Sequence, residues 1–157
     1  MSIKQLVMEL CLDFRLDPSR VKQLPVNEAD LDIPKEILLT AVNRILKSGI
    51  WHLSAITCLQ IEGQYILLYN FWQKSGLTLR VNLGDQNLQI DSICALIPGA
   101  NFYEREAREM FGIEFIGLPN PEPLFLPENW KGGYPMRDTE HDTLETKKTN
   151  KGEKATK

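Results

Sequence analysis

The chain has two histidines, three cysteines and no surplus of positive charge, and these shortages remove several classes of function before any element is placed. Lys and Arg number 18 against 21 Asp and Glu, a net charge of -3. The sequence-independent attraction that dominates nucleic-acid affinity therefore has no source, which counts against DNA or RNA as a partner. Cys11, Cys58 and Cys94 are too widely spaced for a Cys-x-x-Cys zinc or redox site. They also fall short of the four ligands an iron–sulfur cluster normally takes. They read as buried free thiols of a reduced compartment. His52 and His141 belong to no His-Glu-x-x-His set. His52 shares a predicted strand face with Cys58, but six residues of strand span ~20 Å, far beyond the contact a nucleophile and its base require. No apolar run approaches the ~18 residues of a membrane span. The first residues lack the basic and apolar blocks of a secretory signal, so a cytoplasmic chain without its own membrane span is expected.

What is present suits one globular domain: 157 residues, 43% hydrophobic and 25% charged. Ile3, Leu6, Val7, Leu10, Cys11 and Phe14 recur at helical spacing, which predicts an amphipathic helix over 3–15 ahead of Pro18. A second helix is expected to open near Pro34, run through Ile37, Leu38, Ala41, Ile45 and Leu46, and stop at Gly49. From Trp51 the period changes to two. Trp51, Leu53, Ala55, Thr57, Leu59 and Ile61 are placed on one strand face, with a turn at Glu62-Gly63. Residues 64–72 are apolar on both sides and predict a central strand covered twice. Leu77, Leu79, Val81 and Leu83 form the inner face of a third strand, and Val21 to Val26 suit an edge strand. The expected class is α+β: an antiparallel sheet of three to four strands with helices on one face, followed by an extended arm. No internal repeat is visible. From Asp138 the chain carries five acidic residues, five lysines and five threonines with almost nothing apolar, and a mobile tail is expected over 138–157.

Residues 99–137 hold the most information. A short helix is expected from Asn101, a good N-cap, with Glu104 reaching back as in a capping box and Gly112 closing the helix in the left-handed conformation. On a helical wheel Tyr103, Ala107, Met110 and Phe111 share one face. Arg105, Arg108 and Glu109 lie opposite, and Glu104 and Glu106 flank the apolar side. The spacings Glu104 to Arg108 and Arg105 to Glu109 suit ordinary surface pairs, and equally a charged face that meets another protein. After this helix, Pro119, Pro121, Pro123, Pro127 and Pro135 fall within 17 residues, more than half of the nine prolines. They remove backbone donors and forbid a sheet ladder. The same stretch carries Leu118, Leu124, Phe125, Leu126, Trp130, Tyr134 and Met136, a load that an exposed loop does not normally display. Either the arm folds back over its own sheet, or much of it lies in a groove of a partner.

The run Tyr103-Glu104-Arg105-Glu106, with Met110-Phe111-Gly112-Ile113, Phe115, Gly117, Pro119 and Leu126-Pro127-Glu128-Asn129-Trp130, resembles the thirty-kilodalton subunit family of respiratory complex I. That family includes the small hydrophilic subunit of membrane-bound energy-converting nickel-iron hydrogenases. The resemblance covers roughly 30–138. It implies an α+β domain over 1–117, a docking arm over 118–137 and the charged tail beyond. It also implies a subunit with no cofactor of its own, peripheral on the cytoplasmic face of the membrane. Its partners would be a hydrogenase-like large subunit of the 49-kilodalton type and iron–sulfur subunits. These would carry the clusters and, where the complex is a hydrogenase, a nickel-iron site. Carried onto this sequence, the interface residues would be Tyr103, Glu104, Arg105, Glu106, Arg108, Leu124, Phe125, Leu126, Trp130, Tyr134 and Arg137. Arg105 and Arg137 would make forked contacts to partner oxygens, with Phe125, Trp130 and Tyr134 as apolar anchors. Three departures point to the hydrogenase or ferredoxin-linked branch rather than the quinone-linked NADH dehydrogenases. They are Gly117-Leu118-Pro119 in place of Gly-His-Pro, Glu122-Pro123 in place of a basic pair, and Pro135-Met136-Arg137-Asp138 without a following lysine. Two readings of other classes stand beside this one. One is a stand-alone small-molecule enzyme using Glu104, Glu106 and Glu109, and the other is an adaptor whose proline-rich arm binds an unrelated grooved domain.

Overall fold

A computed structural model describes residues 2–24 and 27–138. The expected tail, apart from Asp138, and the last two residues of the predicted edge strand lie outside the described residues. Helix α1 (Ile3–Asp13) is capped by the Ser2 side chain, which accepts from the Gln5 N–H, and it buries Ile3, Leu6, Val7, Leu10 and Cys11 on one stripe. Strands β1 (Val21–Leu24) and β2 (Glu28–Asp32) follow as an antiparallel pair. A single 3-10 turn over Lys35–Ile37 leads into α2 (Leu38–Lys47), so Pro34 stands just before the turn rather than inside a helix. Helix α2 buries Leu38, Ala41, Val42 and Ile45. Arg44 on α2 pairs with Glu9 and Asp13 of α1, at 2.6 and 3.1 Å.

The meander is present as β3 (Leu53–Ile61), β4 (Gln64–Trp72) and β5 (Gly76–Gly84), paired antiparallel. The sheet nevertheless departs from the sequence expectation in three ways. It has five strands in the order β1-β2-β5-β4-β3, because β2 inserts beside β5 and runs parallel to it. The sheet is therefore mixed. Within β2 only Ala29 and Leu31 face the core, and its acidic alternate residues hide the strand from a hydrophobicity reading. Second, the pairing of β3 with β4 slips between Leu53 and Ala55. This bulge inverts the alternation, so Leu53, Ile56 and Cys58 are buried while Thr57 is exposed. Third, β4 is fully covered on one face only. Tyr65, Leu67, Tyr69 and Phe71 are buried, whereas on the opposite face Ile66 is buried, Leu68 half-buried and Trp72 exposed.

Register lines the inward side chains into rows: Leu31, Leu79, Tyr69 and Ile56 lie side by side across four strands. These rows and the apolar stripes of the helices form one core. After β5 come β6 (Gln89–Asp91), helix α3 (Ala100–Phe111) and β7 (Glu114–Ile116). Strand β7 returns to pair parallel with β6, which fixes α3 against β3 and sets the point where the arm departs. Among the described residues, no helix is long and apolar enough to cross a membrane.

Candidate functional site: helix α3 and the arm it holds

The buried stripe of α3 is Ala100, Glu104, Ala107 and Phe111, at spacings of four, three and four residues. Glu104 therefore points inward and is fully buried. Its carboxylate accepts from the Ser92 hydroxyl at 2.5 Å, the Ile93 N–H at 2.8 Å and the Cys94 thiol at 3.2 Å. This corrects the expected capping box. The helix begins after Gly99 with no side-chain cap, and the Asn101 amide donates instead to the Pro119 carbonyl at 2.6 Å. It also removes Glu104 from the surface set, since a fully buried carboxylate has nothing to offer a partner. Burial raises the Glu104 carboxyl above its ordinary value, while the bonds from Ser92, Ile93 and Cys94 act in the opposite direction. Neither expected i,i+4 ion pair forms, because each member is engaged elsewhere.

The outward face of α3 grips the arm by its main chain. Arg105 donates to the carbonyls of Glu122 and Pro123, at 3.0 and 2.8 Å, and Arg108 donates to the Pro121 carbonyl at 2.6 Å. Between Pro123 and Pro127 there are three backbone N–H groups, those of Leu124, Phe125 and Leu126. All three donate to the Glu109 carboxylate, at 3.2, 2.9 and 2.8 Å. The proline-rich arm cannot form a ladder, so charged side chains supply the missing partners for its backbone. Arg137 closes the arm, donating to the Phe111 carbonyl at 2.8 Å and stacking over Tyr134 and Tyr65, 4.3 and 5.4 Å from the ring centres. The Met136 N–H adds a bond to the Met110 carbonyl, and Asp138 pairs its N–H with the Gln60 side chain.

Arg105 and Arg137 thus each spend donors on carbonyls of their own chain, a use that the resemblance did not indicate. The arm does turn back on its own chain, mainly onto α3, and only its end reaches the sheet, where Arg137 lies over Tyr65 and the Asp138 N–H meets Gln60; most of its large side chains stay outside. Phe125 is 63% exposed, Met136 57%, Trp130 47% and Tyr134 45%. Leu124 and Leu126 are half-buried, and Glu106 is exposed. Tyr103 donates its hydroxyl to the Ser54 carbonyl at 2.9 Å, tying α3 to β3.

The comparison with known families decides what this helix and arm belong to: the family described as respiratory-chain NADH dehydrogenase, 30 Kd subunit, matches residues 31–145. The chain belongs to this family. The match runs from β2 through α3 and the whole of the arm. Among curated relatives, the C subunit of NADH-quinone oxidoreductase from Roseiflexus sp. (strain RS-1) is 41% identical over 70 residues, 45% of this chain and 40% of that protein. The C/D subunit of the Klebsiella pneumoniae subsp. pneumoniae NADH-quinone oxidoreductase is 42% identical over 77 residues, 46% of this chain and 13% of that protein. The chain thus spans less than half the length of the curated relatives it matches. Among solved structures, a trypsin-resistant fragment of Nqo5 superposes with a TM-score of 0.61 at 20% identity, covering 73% of this chain and 98% of the fragment. A polypeptide of the membrane-bound sulfane sulfur reductase, an archaeal respiratory membrane complex, superposes with a TM-score of 0.73 at 17% identity, covering 98% of this chain and 94% of that one. Both share the fold of this chain, which is α+β with a mixed sheet.

In this member of the family the described residues contain no group of His, Cys, Asp or Glu placed to hold a metal ion. All three cysteines are free and buried. Burial pushes the Cys58 thiol up to about 12 and the Cys94 thiol up to about 11, so both are protonated and unreactive near neutral pH. The three carboxylates of the enzyme reading do not converge. Glu104 is inside the chain, Glu106 borders a hollow against β3, and Glu109 lies on the opposite side holding the arm.

Gly112 joins the helix end to the arm. Its φ is +72°, and a Cβ there would stand 2.6 Å from both the Arg137 guanidinium and the Tyr134 ring. Gly112→Ala is therefore expected to cost at least about 1 kcal/mol from the left-handed backbone alone. It should also dislodge the end of the arm, seen as faster tryptic cleavage after Lys131 and Arg137. Unchanged cleavage would mean that the arm's end is not seated on this glycine.

Proposed function

We propose that this chain is a cofactor-free accessory subunit in the peripheral arm of a membrane-bound, ion-translocating redox complex. In this reading it sits at the cytoplasmic face and docks on the hydrogenase-like large subunit through the outward side of residues 118–137. The observation that carries the reading is the division of labour in the arm. Its backbone is held to α3 by Arg105, Arg108 and Glu109, while Phe125, Trp130, Tyr134 and Met136 remain exposed. A strap so fixed presents aromatic side chains with little left to order on binding, which favours its use as an anchor surface.

The C/D relatives support a neighbour of this kind. They are single proteins named for two subunits at once, and this chain matches only 13% of one of them. The remainder of such a protein is the natural model for what the arm meets. Within the family, the departures at Leu118, at Glu122-Pro123 and in the lysine missing after Arg137 favour a ferredoxin-linked or hydrogenase-type complex. The names of the curated relatives favour a quinone-linked NADH dehydrogenase instead. The large subunit that co-purifies distinguishes them, since two Cys-x-x-Cys pairs there would indicate nickel-iron chemistry.

Deletion of residues 118–137 is expected to release the chain from the complex while β3, β4 and β5 stay folded. The measurement is retention on a tagged large subunit together with circular dichroism of the isolated variant. Retention at the wild-type level would end the docking role of the arm. Turnover by the isolated wild-type chain would instead support the enzyme reading.

A further inference from the structure

Between the outward face of α3 and the arm lies a cleft of about 460 Å3. That is within the range of about 300–1,000 Å3 seen for specific binding pockets. Its lining includes two arginines and four glutamates. The arginines are both spent on arm carbonyls. Of the glutamates, Glu109 is spent on arm amides and Glu114 accepts from Gln89 at 2.5 Å. The side chains of Glu122 and Glu128 make no hydrogen bond or ion pair among the described residues.

Beside these carboxylates stand the rings of Trp130 and Tyr134. Trp130 is held in place, with its indole N–H donating to the Gly133 carbonyl at 2.8 Å. Gly132 packs so closely on the ring that a Cβ there would lie 2.4 Å from it. Tyr134 already carries the Arg137 guanidinium over one of its faces. Fixed aromatic faces next to unpaired carboxylates form a receptor for a cationic side chain, and a guanidinium satisfies both at once by stacking and by forked hydrogen bonds.

We infer that the cleft between α3 and the arm receives an arginine side chain from the protein on which the arm docks, held by Glu122, Glu128 and the Trp130 ring. This rests on the docking reading and specifies what the neighbour must contribute to it. The negative balance of the lining selects a basic partner segment, whereas Phe125, outside the cleft, contributes apolar contact whatever the partner's charge.

The test uses the assembled complex with a tag on the large subunit and measures how much of this chain is retained as salt is raised. The double reversal E122K/E128K is expected to lower the apparent affinity roughly tenfold or more at low salt and to flatten its salt dependence. E122Q/E128Q should fall between that variant and the wild type. Phe125→Ala should weaken retention while leaving the salt dependence unchanged. Reversing the matching basic residue of the large subunit to glutamate should restore retention of E122K/E128K. If the double reversal is retained with wild-type affinity and salt dependence while deletion of 118–137 still releases the chain, the arginine site is wrong and docking stands. If the deletion itself has no effect, the docking reading fails first. A salt-sensitive dimer of the isolated chain, abolished by E122K/E128K, would assign the cleft to a second copy and overturn the inference. Saturable calcium binding lost in the same variant would do so as well.

Discussion

Replacing Glu104 with alanine is expected to destabilise the isolated chain by about 3 kcal/mol or more, measured as the shift in urea midpoint. The substitution strands the Ile93 N–H and the Ser92 hydroxyl inside the protein, and each buried donor left without a partner costs about 1–3 kcal/mol. It also unties the segment after β6 from α3, which is what fixes the helix that carries the arm. Glu104→Gln keeps an oxygen for the Ile93 N–H and should lose much less. The carboxyl also gives the wild-type chain a pH dependence that neither variant shares. Burial raises the Glu104 carboxyl in the folded chain, so the folded state holds that proton more tightly than the unfolded one. Stability from this source is full below the ordinary carboxylate range and is lost as pH rises through the raised folded value. Glu104→Gln should flatten that part of the profile. An unchanged profile would show that burial does not govern this group.

Replacing Glu109 with alanine should leave the core intact and loosen the arm. The three amides between Pro123 and Pro127 lose their shared acceptor. Amide exchange at Leu124, Phe125 and Leu126 is expected to quicken roughly tenfold or more, with little change in the urea midpoint. Glu109→Gln retains an acceptor oxygen without the charge and should give an intermediate rate. Exchange unaltered in both variants would mean that the arm is held mainly by the two arginines and by its closing contacts at Arg137.

Much of this architecture was legible in the residues because the signals were local. The stripe from Ile3 to Cys11, the alternation through β5 and the positive φ at Gly112 each follow from nearby sequence alone. The missed features depend on partners far along the chain. Strand β2 has two inward residues, and only its pairing with β5, dozens of positions later, makes it a strand. The bulge near Leu53 shifts a face without leaving a mark in hydrophobicity. Glu104 had a readable signal, since it stands on the spacing of Ala100, Ala107 and Phe111, but an acidic residue on a buried stripe is convincing only once its donors are seen. The family motif was similarly two-sided. It identified α3 and the arm as special, and it did not show that Glu104 serves the interior while Arg105 and Glu109 serve the arm's backbone.

The grip on the arm has a consequence for how such proteins can diverge. Arg105 and Arg108 recognise carbonyls that every residue type carries, and Glu109 recognises amides that every type but proline carries, so nothing in the clasp inspects which other side chain occupies Glu122, Phe125 or Glu128. Those positions can be rewritten without unseating the strap, provided the prolines keep its course. One scaffold can thereby exchange its outer lettering to suit different neighbours while the fastening beneath stays the same.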